Sequence, residues 1–268
     1  MQHWIIKNCR SVVNTLATGP AKKPDFTLFR KLAKASSLSV ILFSSQSHLF
    51  ADSFPVPYQA VYSGSFAGIS AEMKQSLSLT ENEQWHLQNS ASIAFFGFSE
   101  EALFTTNGSV ITPQRYKYNN STSSKRSSDL NFDHDLGTAI DLLHSKAPLS
   151  LPEGALDKLS FQTQLRTDLI QAQGNFTEKN YVLVDRTKYK NYTVKKLADV
   201  TIETKIGTFE AVKLEQRRSG KESFTLIWTA KNLDHFILRI QRMDGDSSGR
   251  EVNLQSLTIN GKEIAHNE

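Results

Sequence analysis

Through most of this chain, apolar and polar residues alternate with a period of two. That spacing turns one face of a β-strand to a core and the other to water. Beyond FPVP at residues 54–57, Ile69, Ala71, Met73, Leu77 and Leu79 share one parity, and Ser70, Glu72, Lys74, Ser76 and Ser78 the other. Trp85, Leu87, Ala91 and Ile93 then alternate against His86, Gln88, Ser90 and Ser92. Asn107-Gly108 predicts a hairpin turn, and Leu136-Gly137 a second one. In the C-terminal half, TIETKIGTFEAVKLEQ turns at Ile206-Gly207, and ESFTLIWTA, HFILRIQRM and REVNLQSLTI follow over short connections, the last strand ending at Asn260-Gly261. Strands with one wet face and short links predict an antiparallel meander.

The middle of the chain breaks this rhythm. From Gly154 to about Gln173, Leu156, Leu159, Phe161, Leu165, Leu169 and Ile170 fall mainly at helical spacings. Pro152 and Glu153 suit a first turn, and Gly174 a stop. The expected fold is therefore mainly β: a curved antiparallel sheet, as an open β-barrel or a sandwich, with one central α-helix over about 154–173 acting as a lid or brace. Residues 52–268 read as a single β-rich domain, with an N-terminal meander over about 58–145 and a C-terminal one over about 180–264.

Charge changes the picture at the N-terminus only. Residues 1–51 carry seven of the 31 basic residues and one of the 27 acidic ones, leaving 24 bases against 26 acids in the remainder. A folded part without net positive charge argues against nucleic-acid binding. Lys22, Lys23, Arg30, Lys31 and Lys34 precede the short apolar run Leu38–Phe43, the order of a signal peptide, with a cleavage position after Ala51. The run is too short to span a bilayer. Cys9 is the single cysteine and leaves with this leader. Export to the periplasm, as a monomer, is the expectation.

PEGALDKLSFQTQL, together with IGTFEAVKLEQRR, LIWTAKNLDHFILRIQ, PYQAVYSGSFAGISAE and ITPQRYKY, resembles the bacterial domain of unknown function 3108 from about Pro57 to Ile259. His235-Phe236 and His134 depart from the residues frequent in members. The resemblance implies an exported, mostly β protein of Gram-negative bacteria. It carries no activity and no functional residues.

Candidate chemistry is sparse. Asp133, His134, Asp135, Asp141 and His144 form the most metal-like group, but Asp and His at 133–135 fit turn chemistry better. Glu100-Glu101 is a carboxylate pair whose side chains diverge on a strand. GSFAG places its serine wrongly for a nucleophile elbow, and no phosphate loop or HExxH occurs. KNYVLVDRTKYKNYTVKK reads as a lysine-protected edge strand. Aromatic residues on strands are the remaining signal. Tyr62, Trp85, Tyr116 and Trp228 are the candidate ligand-binding residues, lining an apolar cavity for a lipid or other amphiphile. The expected function is thus non-enzymatic binding of such a ligand or of an envelope protein, with no catalytic residue, metal or cofactor assigned. The alternatives are an envelope hydrolase built on groups such as His134 and Asp141, and a structural interaction module.

Overall fold

One antiparallel sheet takes up the period-two segments. The computed structural model describes residues 54–265 apart from 67–68, 94–95, 146 and 246. The expected leader and its expected cleavage position lie outside the described residues. The first meander comprises β1 (Tyr58–Phe66), β2 (Ile69–Leu79), β3 (Trp85–Ile93), β4 (Phe96–Asn107), β5 (Val110–Asn120), β6 (Ser128–Asp133), β7 (Thr138–Asp141) and β8 (Leu149–Ser150). After α1 (Ser160–Gln171) come β9 (Glu178–Asp185), β10 (Lys188–Thr204), β11 (Gly207–Arg218), β12 (Phe224–Ala230), β13 (Phe236–Asp244), β14 (Ser247–Ile259) and the short β15 (Lys262–Glu263).

Across the sheet the order is β8-β7-β6-β5-β4-β3-β2-β1-β14-β13-β12-β11-β10-β9, with β15 on β14. Each meander pairs neighbours in sequence, and the two join where β1 meets β14, from Tyr58 opposite Ile259 onward. The strands approach closely there. A side chain at Gly64 would sit 2.5 Å from the Glu251 carbonyl oxygen and 2.7 Å from Val252 Cγ1, so the pairing excludes any Cβ. The sheet curves but does not close. Its free edges, β8 and β9, are consecutive in the chain, and the segment between them holds the helix.

That segment explains the break in the pattern. Residues 151–156 run from β8 to the edge of β9, where the Leu156 N–H donates to the Val182 carbonyl (2.9 Å) and the Leu156 carbonyl accepts from the Val184 N–H (2.8 Å). The helix begins at Ser160, six residues after the position its apolar spacing predicts. Leu156 is held in this bridge to β9, and Asp157 supplies the turn that follows. The helix is also no one-sided brace. Phe161, Leu165 and Leu169 are buried, and so are Thr163, Gln164, Arg166, Thr167 and Asp168. It is a plug enclosed on nearly every side. No described helix is long and apolar enough to cross a membrane.

In β9, Tyr181 and Leu183 turn toward the core, and the Tyr181 ring meets Phe161 edge-on at 5.0 Å. A large-to-small change at a fully buried Leu removes transfer energy and leaves a cavity. Leu165→Ala should lower unfolding free energy by roughly 2–5 kcal/mol, whereas Leu136→Ala, at a side chain 76% exposed, should change it by less than about 0.5 kcal/mol. Urea titration of both variants checks the contrast.

Candidate functional site

Three groups of side chains could carry function: a polar cluster where the chain leads into α1, the aromatics of the sheet, and a groove on its outward face. The first begins with Asp157, which is wholly buried. Its Oδ1 accepts from the N–H groups of Leu159 (2.8 Å) and Ser160 (2.9 Å), and its Oδ2 from the Ser160 hydroxyl (2.5 Å). A carboxylate caps the first turn of a helix well, but burial pushes this pKa up to about 6 against those hydrogen bonds. Lys158 lies over the rings of Tyr118 (5.5 Å) and Tyr116 (6.0 Å) and 3.5 Å from Asp185. Asp185 also pairs with Lys190, whose pKa burial lowers to about 8, helped by the charge of Lys158. The Tyr116 hydroxyl donates to Glu100. Each carboxylate is engaged by donors of the chain itself, so the cluster ties β4 and β5 to β9 and β10 through Lys158. It does not flank a substrate bond as an acid–base pair must.

The sheet contributes its own inward polar groups. The Tyr58 hydroxyl donates to Gln75 Oε1 (2.9 Å), and Gln75 Nε2 donates to Asn89 (2.8 Å) and to Gln162 of the helix (3.2 Å). Gln164 accepts from the Ile111 N–H (2.8 Å) and donates to the Ser109 carbonyl (2.9 Å). Asp168 takes the Tyr181 hydroxyl (2.7 Å) and Lys179 (2.8 Å). Arg166 sits against the rings of Phe54, Tyr58 and Phe236, and its Nε donates to the Asp234 carbonyl (3.1 Å). That carbonyl is presented by two successive left-handed residues, Asp234 (φ 46°) and His235 (φ 51°). Burial lowers the His235 pKa to about 4, and Arg166 adds to the effect. Among the described residues, no buried side-chain nitrogen or oxygen lacks a partner.

The four candidate aromatics do not share one wall. Tyr62, 2% exposed, donates its hydroxyl to the Ile237 carbonyl (2.8 Å). Tyr116 is equally buried, and Trp85, opposite Phe104, packs on the same core. Trp228 stands in line with Arg239, Asn253 and Ser63, one step out of register with Tyr62, which places it on the opposite face. There Lys213 (5.3 Å) and Arg239 (5.6 Å) cover its ring. Between α1 and the wall of Tyr58 and Tyr62 the opening is about 10 Å³, space for about one water. Where an apolar cavity was expected, this part of the interior is occupied by the helix.

The histidines and aspartates also stay apart. The His134 ring stacks on Phe132, with Nε2 2.5 Å from the Pro113 carbonyl oxygen. Asp133 accepts from the Leu136 N–H (2.8 Å) in the turn. Asp141 lies three rungs along the ladder from Asp133, about 10 Å. Burial raises the Asp141 pKa, but the N–H groups of Leu143 and Asp129, with His144 and Ser128, outweigh it and hold the group below its usual range. Its work is to cap the turn that follows β7. Glu100 and Glu101 diverge, Glu100 inward to Tyr116 and Glu101 outward to His86 (3.1 Å) and Lys117 (3.7 Å). No group of three His, Cys, Asp or Glu among the described residues is placed to hold a metal ion.

The groove, about 570 Å³, crosses the outward face of β14, β1, β2, β3, β4 and β5. Two ladder rows line it. Thr258, Gln59, Ser76, Gln88 and Glu101 stand opposite one another on successive strands, and so do Ser256, Val61, Lys74, Ser90, Ser99 and Asn119. Six strands at about 4.8 Å spacing give a run of about 24 Å. Hydroxyl and amide groups dominate it, with Lys74 as its cation and Glu101 already engaged. The outward parity of these strands is plain in the sequence, but the bend that makes a groove of it is not.

The family model described as "Protein of unknown function (DUF3108)" matches residues 59–253, and the chain belongs to that family. No curated protein matches the chain significantly. Among solved structures, a β-barrel-like protein of domain of unknown function DUF1849 from Brucella abortus is similar, with a TM-score of 0.52 and 12% identity, covering 76% of this chain and 98% of its own. At that identity the likeness extends to the fold alone.

The raised pKa of Asp157 has a consequence for stability. A carboxyl with a folded pKa near 6 and an unfolded one near 3.8 binds its proton more tightly in the folded state. Its contribution to stability is therefore greatest below about pH 4 and is lost as pH rises through 6. Asp157→Asn keeps an acceptor for the Leu159 and Ser160 N–H groups without the charge, and its amide nitrogen donates to the Ser160 hydroxyl oxygen where the carboxylate accepted from it. The variant should be more stable than the parent at pH 7.5, by on the order of 2–3 kcal/mol, with the gap closing toward pH 4.5. Urea melts at both pH values check the sign.

Proposed function

We propose that this DUF3108 member is an exported, non-enzymatic protein of the cell envelope that binds a neutral, hydroxyl-rich chain, such as a glycan strand, along its outward groove. The observation that carries this reading is the groove's lining: two registered rows, five and six strands long, in which hydroxyl and amide side chains predominate. Such groups exchange water for ligand hydroxyls at modest net cost. A groove of this volume lies within the range of small-molecule sites. One lysine and two glutamates, both already engaged, offer little to a polyanion, and the lining is poor in the apolar and aromatic groups an acyl chain would need. Export rests on the leader's basic residues followed by its apolar run. On this reading the ligand lies outside the sheet and is polar, in place of an amphiphile within it. A hydrolase is the weaker reading, because His134 and Asp141 are spent on separate turns.

Calorimetric titration with soluble neutral oligosaccharides tests the proposal. Binding is expected, and the double variant Lys74→Ala, Gln88→Ala should weaken it at least about tenfold, about 1.4 kcal/mol, at an unchanged melting temperature. Absence of binding to any neutral oligosaccharide would overturn it, as would an amphiphile retained by the gently purified protein in native mass spectrometry.

A further inference from the structure

β10 is longer than its outer neighbour. β9 pairs with Lys188–Lys195 only, and the Lys196 N–H still reaches the Thr177 carbonyl (2.8 Å). From Ala198 to Thr204 the strand is hydrogen-bonded to β11 in unbroken register. Among the described residues, no strand is hydrogen-bonded along its other side. The direction of its free groups follows from one bond. The Glu210 carbonyl accepts from the Lys231 N–H (2.9 Å), so Glu210 faces β12 and not β10. Its partner Thr201 therefore turns its own N–H and carbonyl away from β11. By alternation Asp199 and Glu203 do the same. Three donors and three acceptors point outward along an edge rich in β-branched residues, Val200, Thr201, Ile202 and Thr204.

We propose that this edge pairs antiparallel with the same edge of a second copy of the chain, about a twofold axis at Ile202. Charge selects the register. With Ile202 opposite itself, Asp199 faces Lys205 of the other copy, twice by symmetry, and Thr201 faces Glu203. Centred on Thr201 instead, Asp199 would face Glu203 twice. Centred on Glu203, that carboxylate would face itself. Like charges opposite one another are destabilising. The favoured register also makes Asp199, Thr201 and Glu203 hydrogen-bonded positions, which are those whose groups point outward. Val200 then lies opposite Thr204 and extends the apolar strip formed by Ile202 and Phe209. The contact is isologous, closes at two copies and removes an exposed edge. It replaces the monomer expected from the sequence and is independent of the groove.

Sedimentation equilibrium of the purified full chain over a wide concentration range tests it. A reversible dimer is expected. Thr201→Pro removes an outward N–H without costing a bond to β11, so it should leave the circular dichroism spectrum unchanged and raise the dimer dissociation constant at least about tenfold. Lys205→Glu, at an exposed turn, should also weaken the dimer. A chain that is monomeric throughout would overturn the proposal, even if it captures a strand of another protein. So would a dimer indifferent to both variants.

Discussion

Two backbone hydrogen bonds at Leu156 stand at the centre of this structure. The two meanders are sewn together by β1 and β14, and that leaves β8 and β9 as free edges. An open edge carries unpaired N–H and carbonyl groups and invites association. The chain answers by laying its own connecting segment against β9 and then sending it inward as α1. Position in the sequence makes this solution available, since the two edges are neighbours along the chain. Lys158, paired to Asp185 and resting on Tyr116 and Tyr118, ties the same seam through side chains.

Placing a helix within the curve of a sheet imposes a second constraint. Most of its polar side chains are buried, so they must find partners in the wall around it or in the helix itself. Gln162 and Gln164 reach β2 and β5, Asp168 reaches β9, and Arg166 reaches the turn before β13. Buried networks of this kind are costly when half satisfied and specifying when complete. Here they fix the rotation of the helix, which its apolar residues alone would leave loose. The space between the helix and the wall of Tyr58 and Tyr62 is consequently filled, and the open groove lies on the outward face.

Much of the fold was legible in the sequence because one-sided burial writes itself as alternation, and turns at Asn107-Gly108 and Leu136-Gly137 stand where that alternation stops. The inward polar network also left a trace. The apolar parity skips at Gln75 in β2 and at Asn89 in β3, and these two residues are cross-strand partners. Neither gap means much alone, and only register brings them together. The start of α1 was misjudged because Leu156 keeps helical spacing while serving as a strand residue. Trp228 was grouped with Tyr62 because parity cannot be compared across strands whose register contains bulges. The groove was invisible for a further reason: its residues follow from parity, but its concavity is a property of how the whole sheet bends.

If the helix and its lead-in hold the sheet together, α1 must open only when the whole domain does. Native-state hydrogen exchange measures this directly. The amides of Leu165 and Leu169 should exchange with the same opening free energy as those at the centre of β1 and β11. Exchange of α1 through a separate opening several kcal/mol cheaper, with the sheet still protected, would show that the helix is a detachable lid and contradict the account.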